Sequence, residues 1–266
     1  MTATLTSTLC FNFMVVGQAR SGTAPLSSSL CGLPHTHVHV GLFDRDPAVR
    51  EHAYRSYFEP AEDDIDADAP PWFTPGVTNP YHHLMSQVFD QPRRGECRIG
   101  ARLSYGFVRE YQLHDTIEEL HRRGDFCVVH VKRNPVACFV SLKQAEKTGV
   151  WGRFANSTDP GTTPMSARID PRELTAFVRE HFVDELRIKN HCPDAVVVQY
   201  RDLCLDYEHQ VRRVAAYVEA PCPQVALPCV KRMRNRCVRD RIFNFDEILK
   251  EVPSDVRAAM LARDLY

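Results

Sequence analysis

Residues 17–23 (Gly-Gln-Ala-Arg-Ser-Gly-Thr) combine two glycines with one basic side chain, a composition that suits the binding of a phosphate. Glycine lets the backbone approach an anion closely, and the N–H groups that open a following helix can point at it. The Walker pattern Gly-x-x-x-x-Gly-Lys-Ser/Thr has the same glycine spacing. Here Thr23 replaces the Walker lysine, and Ala24 replaces the hydroxyl that binds magnesium. The loop therefore predicts a phosphate site without the usual groups for metal-assisted cleavage of a triphosphate.

Residues 131–141 (Val-Lys-Arg-Asn-Pro-Val-Ala-Cys-Phe-Val-Ser) form a second candidate site. A basic pair leaves the end of an apolar run, Asn-Pro turns the chain, and a helix can run from Pro135 to about Gln144. Ser141 follows Arg133 by eight residues, which is about two helical turns. Arginine can make a two-pronged contact with a phosphate, and a serine hydroxyl can add another. The pair therefore predicts a second set of phosphate contacts.

Apolar runs and helical periodicities predict the elements that would hold both motifs. Buried strands are expected at 11–16, 126–131 and 195–200, with a further short strand at 98–103. Helices are expected after both motifs, from about Asp115, over 172–190 and around 211–218. This alternation is typical of an α/β fold with a central parallel sheet, whose ligands bind at the carboxyl ends of the strands. We expect one domain over 1–266, with an irregular excursion at about 44–95 that contains an acidic run and a cluster of prolines.

The composition argues against several classes of protein. Lys and Arg number 33 against 34 Asp and Glu, so the net charge of −1 disfavours a protein that coats nucleic acid. No apolar run approaches the roughly 18–20 residues of a membrane-spanning helix. None of the ten cysteines forms a C-x-x-C pair, which argues against a zinc ribbon or a thioredoxin-type site. No export signal is recognisable, and we expect a cytoplasmic protein with reduced thiols and no nucleic-acid or membrane partner.

Taken together, the two motifs resemble those of sulfotransferases that use 3′-phosphoadenosine 5′-phosphosulfate (PAPS). Residues 15–23 resemble the 5′-phosphosulfate loop of this family, commonly Pro-Arg-Ser-Gly-Thr/Ser after an apolar strand. Residues 129–141 resemble its 3′-phosphate motif, in which Arg-Asn/Asp-Pro is followed by a serine. Weaker matches follow in the same order, in the style of bacterial nodulation-factor and carbohydrate sulfotransferases, at 99–103, 198–203 and 231–247. The resemblance covers about residues 11–250.

The resemblance implies a P-loop-kinase-like domain that transfers a sulfuryl group from PAPS, as co-substrate, to a hydroxyl or amine of a small-molecule or carbohydrate acceptor, with no metal. It implies that Arg20 holds and neutralises the transferring group, and that Arg133 and Ser141 hold the 3′-phosphate. Arg232, in the basic segment 231–241, would close over that phosphate. The full set of expected cofactor-binding residues is Arg20, Ser21, Gly22, Thr23, Ala24, Arg133, Ser141 and Arg232.

This sequence departs from the family pattern at three positions. Ala19 replaces the usual proline of the loop, and Arg102 replaces a lysine of the strand motif, where we expect it to contact the acceptor. Leu42 stands where carbohydrate and bacterial members often carry the glutamate that serves as general base. The residue that accepts the proton of the acceptor must therefore lie elsewhere, unless the acceptor needs little activation.

Histidines near the missing glutamate are the alternative bases, because an unperturbed pKa near ~6.5 suits proton acceptance at neutral pH. His39 is the first choice and His37 the second, with His82 and His83 as weaker candidates that could also bind the acceptor. Together with His35, the first two alternate along a predicted strand and would share one face. Such a face could hold a metal, although we expect none.

Two other functions stay open. The first is a P-loop kinase that uses ATP, which the missing Walker lysine disfavours. The second is a non-catalytic nucleotide-binding protein that has kept the phosphate cradle and lost its base, which the absent glutamate favours. The sequence indicates neither the acceptor nor the oligomeric state.

Overall fold

The computed structural model describes residues 11–43, 88–89, 98–124, 126–149, 166–222 and 238–262. Five strands form one parallel sheet in the order β2-β3-β1-β4-β5. The strands are β1 (Phe11–Gly17), β2 (Thr36–His39), β3 (Arg98–Ser104), β4 (Phe126–Lys132) and β5 (Val196–Gln199). The predicted α/β class with a central parallel sheet is confirmed.

Nine α-helices and one 3-10 turn accompany the sheet in the described part of the chain. They are α1 (Thr23–Cys31), α2 (Tyr105–Glu110), α3 (His114–Arg122), α4 (Pro135–Thr148), α5 (Pro171–His191), α6 (Tyr200–Leu205), α7 (Tyr207–Tyr217), the 3-10 turn (Val238–Arg241), α8 (Phe245–Glu251) and α9 (Ser254–Leu261). None of these helices is long and apolar enough to cross a membrane.

Alternating side chains of β1 separate the two layers that cover the sheet. Phe13 and Val15 face a core that includes apolar residues of α1 and α7. Met14 and Val16 face a core that includes residues of α2, α3 and the end of α5. Because side chains alternate along a strand, the uninterrupted apolar run 13–16 buries both faces of β1, as expected for a central parallel strand.

The register aligns the ends of several strands at one edge of the sheet. Gly17 lies opposite Ser104 on β3 and Val131 on β4, and Lys132 lies opposite Gln199 on β5. The loops that follow β1, β4 and β5 therefore leave the sheet side by side. This edge carries the first and second motifs of the sequence.

The C-terminal helices pack against α4 and so against the second motif. Asn134 caps α4 by accepting hydrogen bonds from the N–H groups of Val136 and Ala137, at 2.9 and 3.3 Å. Its amide also donates to the Ala259 carbonyl of α9 at 2.9 Å. Val140 of α4 belongs to an apolar core that α5, α8, α9 and the 3-10 turn share. These contacts fix the C-terminal helices relative to the loop that follows β4.

The predicted elements are mostly confirmed among the described residues, and the structure adds the short helices α6, α8 and α9, which the sequence did not predict. The segment 195–200 is not a buried strand: β5 is an edge strand, and Val197 is 40% exposed. The helix from Pro135 continues beyond 144 to Thr148, where Gly149 with a φ of 68° ends it. The short helix α2, which the sequence did not predict, starts where the Ser104 hydroxyl accepts from the Phe107 N–H. Most of the excursion predicted at 44–95 lies outside the described residues.

Candidate functional site

The loop between β1 and α1 is pressed against its neighbours at both glycines. A Cβ atom on Gly17 would lie 2.5 Å from the Val131 carbonyl oxygen of β4. Gly22 adopts a left-handed φ of 98°, and a Cβ atom there would lie 2.7 Å from Cδ2 of Tyr200 on α6. No side chain caps the N-terminus of α1, which starts at Thr23. The first N–H groups of this helix have no intrahelical partner and therefore suit an anion.

Arg20 adopts a backbone conformation that non-glycine residues seldom occupy. Its φ is 71°, a left-handed geometry that costs about 1–2 kcal/mol for a residue with a side chain. Nη1 of Arg133 donates a hydrogen bond to the Arg20 carbonyl at 2.6 Å. Nε of Arg20 donates to the Ser141 hydroxyl on α4 at 3.1 Å. The two predicted phosphate motifs are thus in direct contact, and the second motif holds the strained residue of the first.

Tyr200 supports the cradle from the side of β5. The guanidinium of Arg133 lies over its ring, with Cζ 4.0 Å from the ring centroid, a cation–π contact. The same ring packs so closely against Gly22 that a side chain at this position would collide with it. Tyr200 is the first residue of α6, which begins directly after β5 ends at Gln199. The ring therefore fixes the plane of one guanidinium and the position of the loop together.

Arg241 in the 3-10 turn is a third arginine of this site and was not predicted from the sequence. Its side chain is buried, and its Nη2 donates to the Gln144 side-chain oxygen on α4. Its Nε is buried with no hydrogen-bond partner among the residues that the structure describes. Burial, then the charges of Arg133 and Arg20, lower the pKa of Arg241 to about 10. The same part of the chain offers it no ion pair with a carboxylate.

The charges of neighbouring arginines act on both Arg241 and Arg20 at this edge of the sheet. Burial first, and then the charge of Arg133, lower the pKa of Arg20 from its ordinary value. The Ser21 hydroxyl of the same loop is also buried without a hydrogen-bond partner within the described segments. Grouped guanidinium groups, a buried hydroxyl and a helix N-terminus together favour an anion with several oxygens, such as a phosphate or a sulfate.

Comparison with known proteins adds one distant likeness. The chain matches no protein-family model. No curated protein matches it either. Similar solved structures include the crystal structure of a sulfotransferase from Alicyclobacillus acidocaldarius, with 18% identity over 96% of each chain and a TM-score of 0.48. This likeness is too distant to indicate a function, which therefore rests on the residues of the site.

The structure does not bring His39, the first-choice base, to this cradle. His39 pairs with Ala101 of β3, which pairs with Met14, three residues before Gly17 on β1. At about 3.3 Å per residue and about 4.8 Å between strands, its Cα lies about 14 Å from that of Gly17. The His39 side chain is buried, and its ring centroid is 4.5 Å from that of His37. The role of either histidine as a base stays a prediction.

The expectation that three histidines share one strand face is wrong. β2 begins at Thr36, and His35 precedes it in a left-handed conformation with a φ of 54°. That turn takes His35 out of the period-two alternation, so only His37 and His39 are on the same face. Arg102 of β3 donates from Nη2 to the Val40 carbonyl at 2.8 Å and so contacts the chain just after β2. Its predicted contact with the acceptor stays a prediction, and Arg232, His82 and His83 lie outside the described residues.

A buried polar network lies beside the cradle on the α5 side of the sheet. The Tyr105 hydroxyl and His130 Nε2 share a short hydrogen bond, and the Tyr105 ring is 5.5 Å from that of His181. Nε2 of His181 is 3.6 Å from Glu185, whose other oxygen pairs with the Lys132 ammonium. Lys132 ends β4 and directly precedes Arg133, so the network reaches the edge that carries the motifs. No sequence pattern signalled it, because its members come from β3–α2, β4 and α5.

Electrostatics shift the pKa values of three members of this network, His130, Glu185 and Tyr105. Burial, followed by the charge of Lys132, lowers the pKa of His130 to about 4, so its imidazole is neutral at pH 7. Burial would raise the pKa of Glu185, but its contacts with His181 and with the Lys132 ammonium outweigh that effect and lower it to about 2. Burial also raises the pKa of the Tyr105 hydroxyl. Glu185 is thus an anion that holds the Lys132 ammonium in place.

Proposed function

We propose that this protein is an enzyme that transfers a sulfuryl group from PAPS to a hydroxyl or amine of a small-molecule or carbohydrate acceptor. The observation that carries the proposal is the convergence of Arg20, Arg133 and Arg241 on the loop that precedes α1. Guanidinium groups placed together beside a helix N-terminus attract an anion with several oxygens, and each can make charge-assisted hydrogen bonds to it. A co-substrate with phosphate groups at both ends of one nucleoside supplies such an anion.

The two ends of the co-substrate correspond to two parts of the cradle. The N-terminus of α1, with the hydroxyl of Ser21 and the Arg20 guanidinium, would hold the 5′-phosphosulfate. Arg133 and Ser141 would hold the 3′-phosphate. Arg241, which has a buried Nε with no partner in the described part of the chain, would add a third contact there. This division follows the family resemblance, and the contacts between Arg20, Ser141 and Arg133 are compatible with it.

The chemistry that these residues can perform is positioning and charge stabilisation. Like phosphoryl transfer, sulfuryl transfer needs in-line placement of the acceptor oxygen or nitrogen and stabilisation of the charge on the bridging oxygen. A guanidinium at Arg20 can stabilise that charge without a metal ion. Its fixed backbone keeps the group in place, since Arg133 holds the Arg20 carbonyl. The proton of the acceptor must leave during transfer, and His39 remains the predicted base.

Nucleotide selectivity tests the proposal most directly. Isothermal titration should show tight binding of 3′-phosphoadenosine 5′-phosphate and weak binding of AMP, because AMP lacks the 3′-phosphate. Arg133→Ala should lower the affinity for the bisphosphate about 10- to 100-fold, since it removes a charge-assisted hydrogen bond of about 1.5–3 kcal/mol. Arg179→Ala is the control, because this arginine is exposed on α5 and pairs with Asp255 at the surface. A chain that binds ATP more tightly than the bisphosphate would be a kinase instead.

Transfer itself needs a second measurement. The full chain is incubated with PAPS that carries radioactive sulfate and with a panel of phenols, alcohols, amines and sugars, in excess chelator. Labelled product from any acceptor supports the proposal, and chelator should not suppress it. Tight binding of the bisphosphate without transfer to any acceptor would favour the non-catalytic nucleotide-binding protein.

A further inference from the structure

We propose that Asp115, Glu118 and His191 form a binding site for a divalent transition metal of the zinc type, separate from the phosphate cradle. One ligand atom from each of the three side chains lies within 4.8 Å of the others. Within the described segments they are the one group of three or more His, Cys, Asp or Glu side chains with this spacing. An imidazole combined with carboxylates suits Zn²⁺, Co²⁺ or Ni²⁺ better than Mg²⁺ or Ca²⁺, which prefer oxygen ligands.

Two rigid helices place these ligands. Asp115 and Glu118 are three residues apart on α3, so they lie on the same side of that helix. His191 is the last residue of α5. It lies six residues beyond Glu185, which is about 9 Å further along the helix axis. The site is therefore built on packed helices, which keep metal ligands in position better than mobile loops do.

His191 and Glu118 already share a hydrogen bond between two atoms that can bind a metal ion. Nδ1 of His191 contacts Oε2 of Glu118 in a short hydrogen bond. A divalent ion can replace the shared proton, because both atoms are then deprotonated ligands. The other oxygen of Glu118 accepts from Arg122 at 2.9 Å, which orients the carboxylate from outside the site.

A fourth ligand and the room for an ion are available next to these three residues. His114 and His191 line a cavity of about 290 Å³, and their ring centroids are 5.9 Å apart. Two imidazoles that bind one tetrahedral Zn²⁺ at about 2.0–2.1 Å have ring centroids about 5 Å apart. A small rotation of His114 would therefore complete a set of two imidazoles and two carboxylates.

The positive charges around the cavity do not outweigh this ligand set. Arg109, which lines the cavity, pairs with Glu180 and Asp184 at 3.0 and 2.5 Å. Arg122 pairs with Glu118 itself. Arg187 is the remaining cation among the described lining residues. The Arg122 side chain is 68% exposed, so it can turn into solvent when an ion binds and leave both carboxylates to balance one divalent charge.

Metal titration of the full chain tests the site. Zn²⁺ binding is measured by isothermal titration, and Co²⁺ is used as a probe because its visible absorption is intense when four-coordinate. We expect Glu118→Gln and His191→Ala each to lower the Zn²⁺ affinity at least tenfold and to remove the four-coordinate Co²⁺ spectrum. Glu118→Gln is the milder variant, since glutamine keeps the shape and an acceptor oxygen, so it should fold.

His121→Ala is the matched control. His121 also lies on α3 and also pairs closely with a carboxylate, that of Asp194, but its pair has no third ligand of the required spacing in the described chain. Zn²⁺ affinity should be unchanged in this variant. The proposal is overturned if Glu118→Gln and His191→Ala bind Zn²⁺ as the parent does, if His121→Ala weakens binding equally, or if the parent binds no Zn²⁺ at micromolar concentration. Binding of 3′-phosphoadenosine 5′-phosphate should be the same in all three variants, so failure here leaves the proposed function untouched.

Discussion

Replacing Arg241 by methionine should stabilise the protein while weakening its affinity for the nucleotide. The pKa of Arg241 falls from an ordinary 12.5 to about 10 because of burial and of the charges of Arg133 and Arg20. Since each pKa unit corresponds to about 1.4 kcal/mol, the fold disfavours the charged side chain by about 3 kcal/mol. Methionine keeps most of the apolar stem and removes the charge.

The expected gain in stability is smaller than the full electrostatic cost. The substitution removes the hydrogen bond from Arg241 to Gln144, which contributes about 0.5–1.5 kcal/mol net. Gln144 is partly exposed, so water can replace the lost donor. The free energy of unfolding should therefore rise by about 1.5–2.5 kcal/mol at pH 7, and each kcal/mol should raise the melting temperature by about 2–4 °C.

The binding free energy that Arg241→Met loses should be similar in size to the unfolding free energy that it gains. If Arg241 contacts a phosphate, its removal costs about 1.5–3 kcal/mol of binding, or about 10- to 100-fold in the dissociation constant for 3′-phosphoadenosine 5′-phosphate. Urea denaturation and isothermal titration on the same preparations measure both effects. Arg239→Met is the control, because Arg239 lies in the same 3-10 turn but is exposed and pairs with Asp246 at the surface.

Two results would refute this reasoning. If Arg241→Met lowers the free energy of unfolding by more than about 1 kcal/mol, the buried charge is compensated within the fold and does not await an anion. If its affinity for the bisphosphate equals that of Arg239→Met, the 3-10 turn does not belong to the cradle.

Three further predictions concern the loop, the base and the buried network. Gly22→Ala should lower bisphosphate affinity at least about tenfold, because it adds left-handed strain and a collision with Tyr200, whereas Gly149→Ala, also at positive φ, should not. As the predicted base, His39 should be needed for transfer, so His39→Ala should lower the turnover number ~10²–10⁴-fold with nearly intact nucleotide affinity; a variant that keeps more than about a third of the turnover would move the role to another group. Acid should destabilise the parent more than His130→Gln, because between pH ~6.5 and about 4 the unfolded chain binds a proton at His130 that the folded chain does not. Urea denaturation should show that the free energy of unfolding falls between pH 7 and pH 4.5 by up to about 3 kcal/mol more in the parent than in the variant.

The sequence was sufficient to predict the elements of the cradle and their meeting at one edge. Apolar runs predict β1 and β4, and the glycines predict the loop. Because neighbouring parallel strands end at the same edge of a sheet, the loops after them lie side by side. The contact between Arg20 and Ser141 follows from that arrangement. Edge exposure of β5 could not be read from its valines, because strand order depends on tertiary packing rather than on local composition.

The residues that the sequence did not identify are those placed by long-range packing. Arg241 is one of several basic residues in 231–241, and only its burial against α4 distinguishes it from the exposed Arg239. The network from Tyr105 to Lys132 joins three segments with no shared motif. The prediction that His39 is the base rests on its position in the sequence. That position does not reveal that β2 lies two strands from β1 and ends three residues short of the edge.

The bond from Arg133 to the Arg20 carbonyl also bears on the speed of ligand capture. Because folding already sets the shape of the loop, an arriving anion does not have to order it, and association should be limited by diffusion and by local electrostatic attraction. The whole chain has a net charge of only −1, so that attraction is local, arises from groups such as the arginines of the cradle and the N-terminus of α1, and extends little beyond a Debye length of about 8 Å at physiological ionic strength. Added salt should therefore slow the association of the bisphosphate, while its dissociation rate, set by contacts inside the cradle, should change much less.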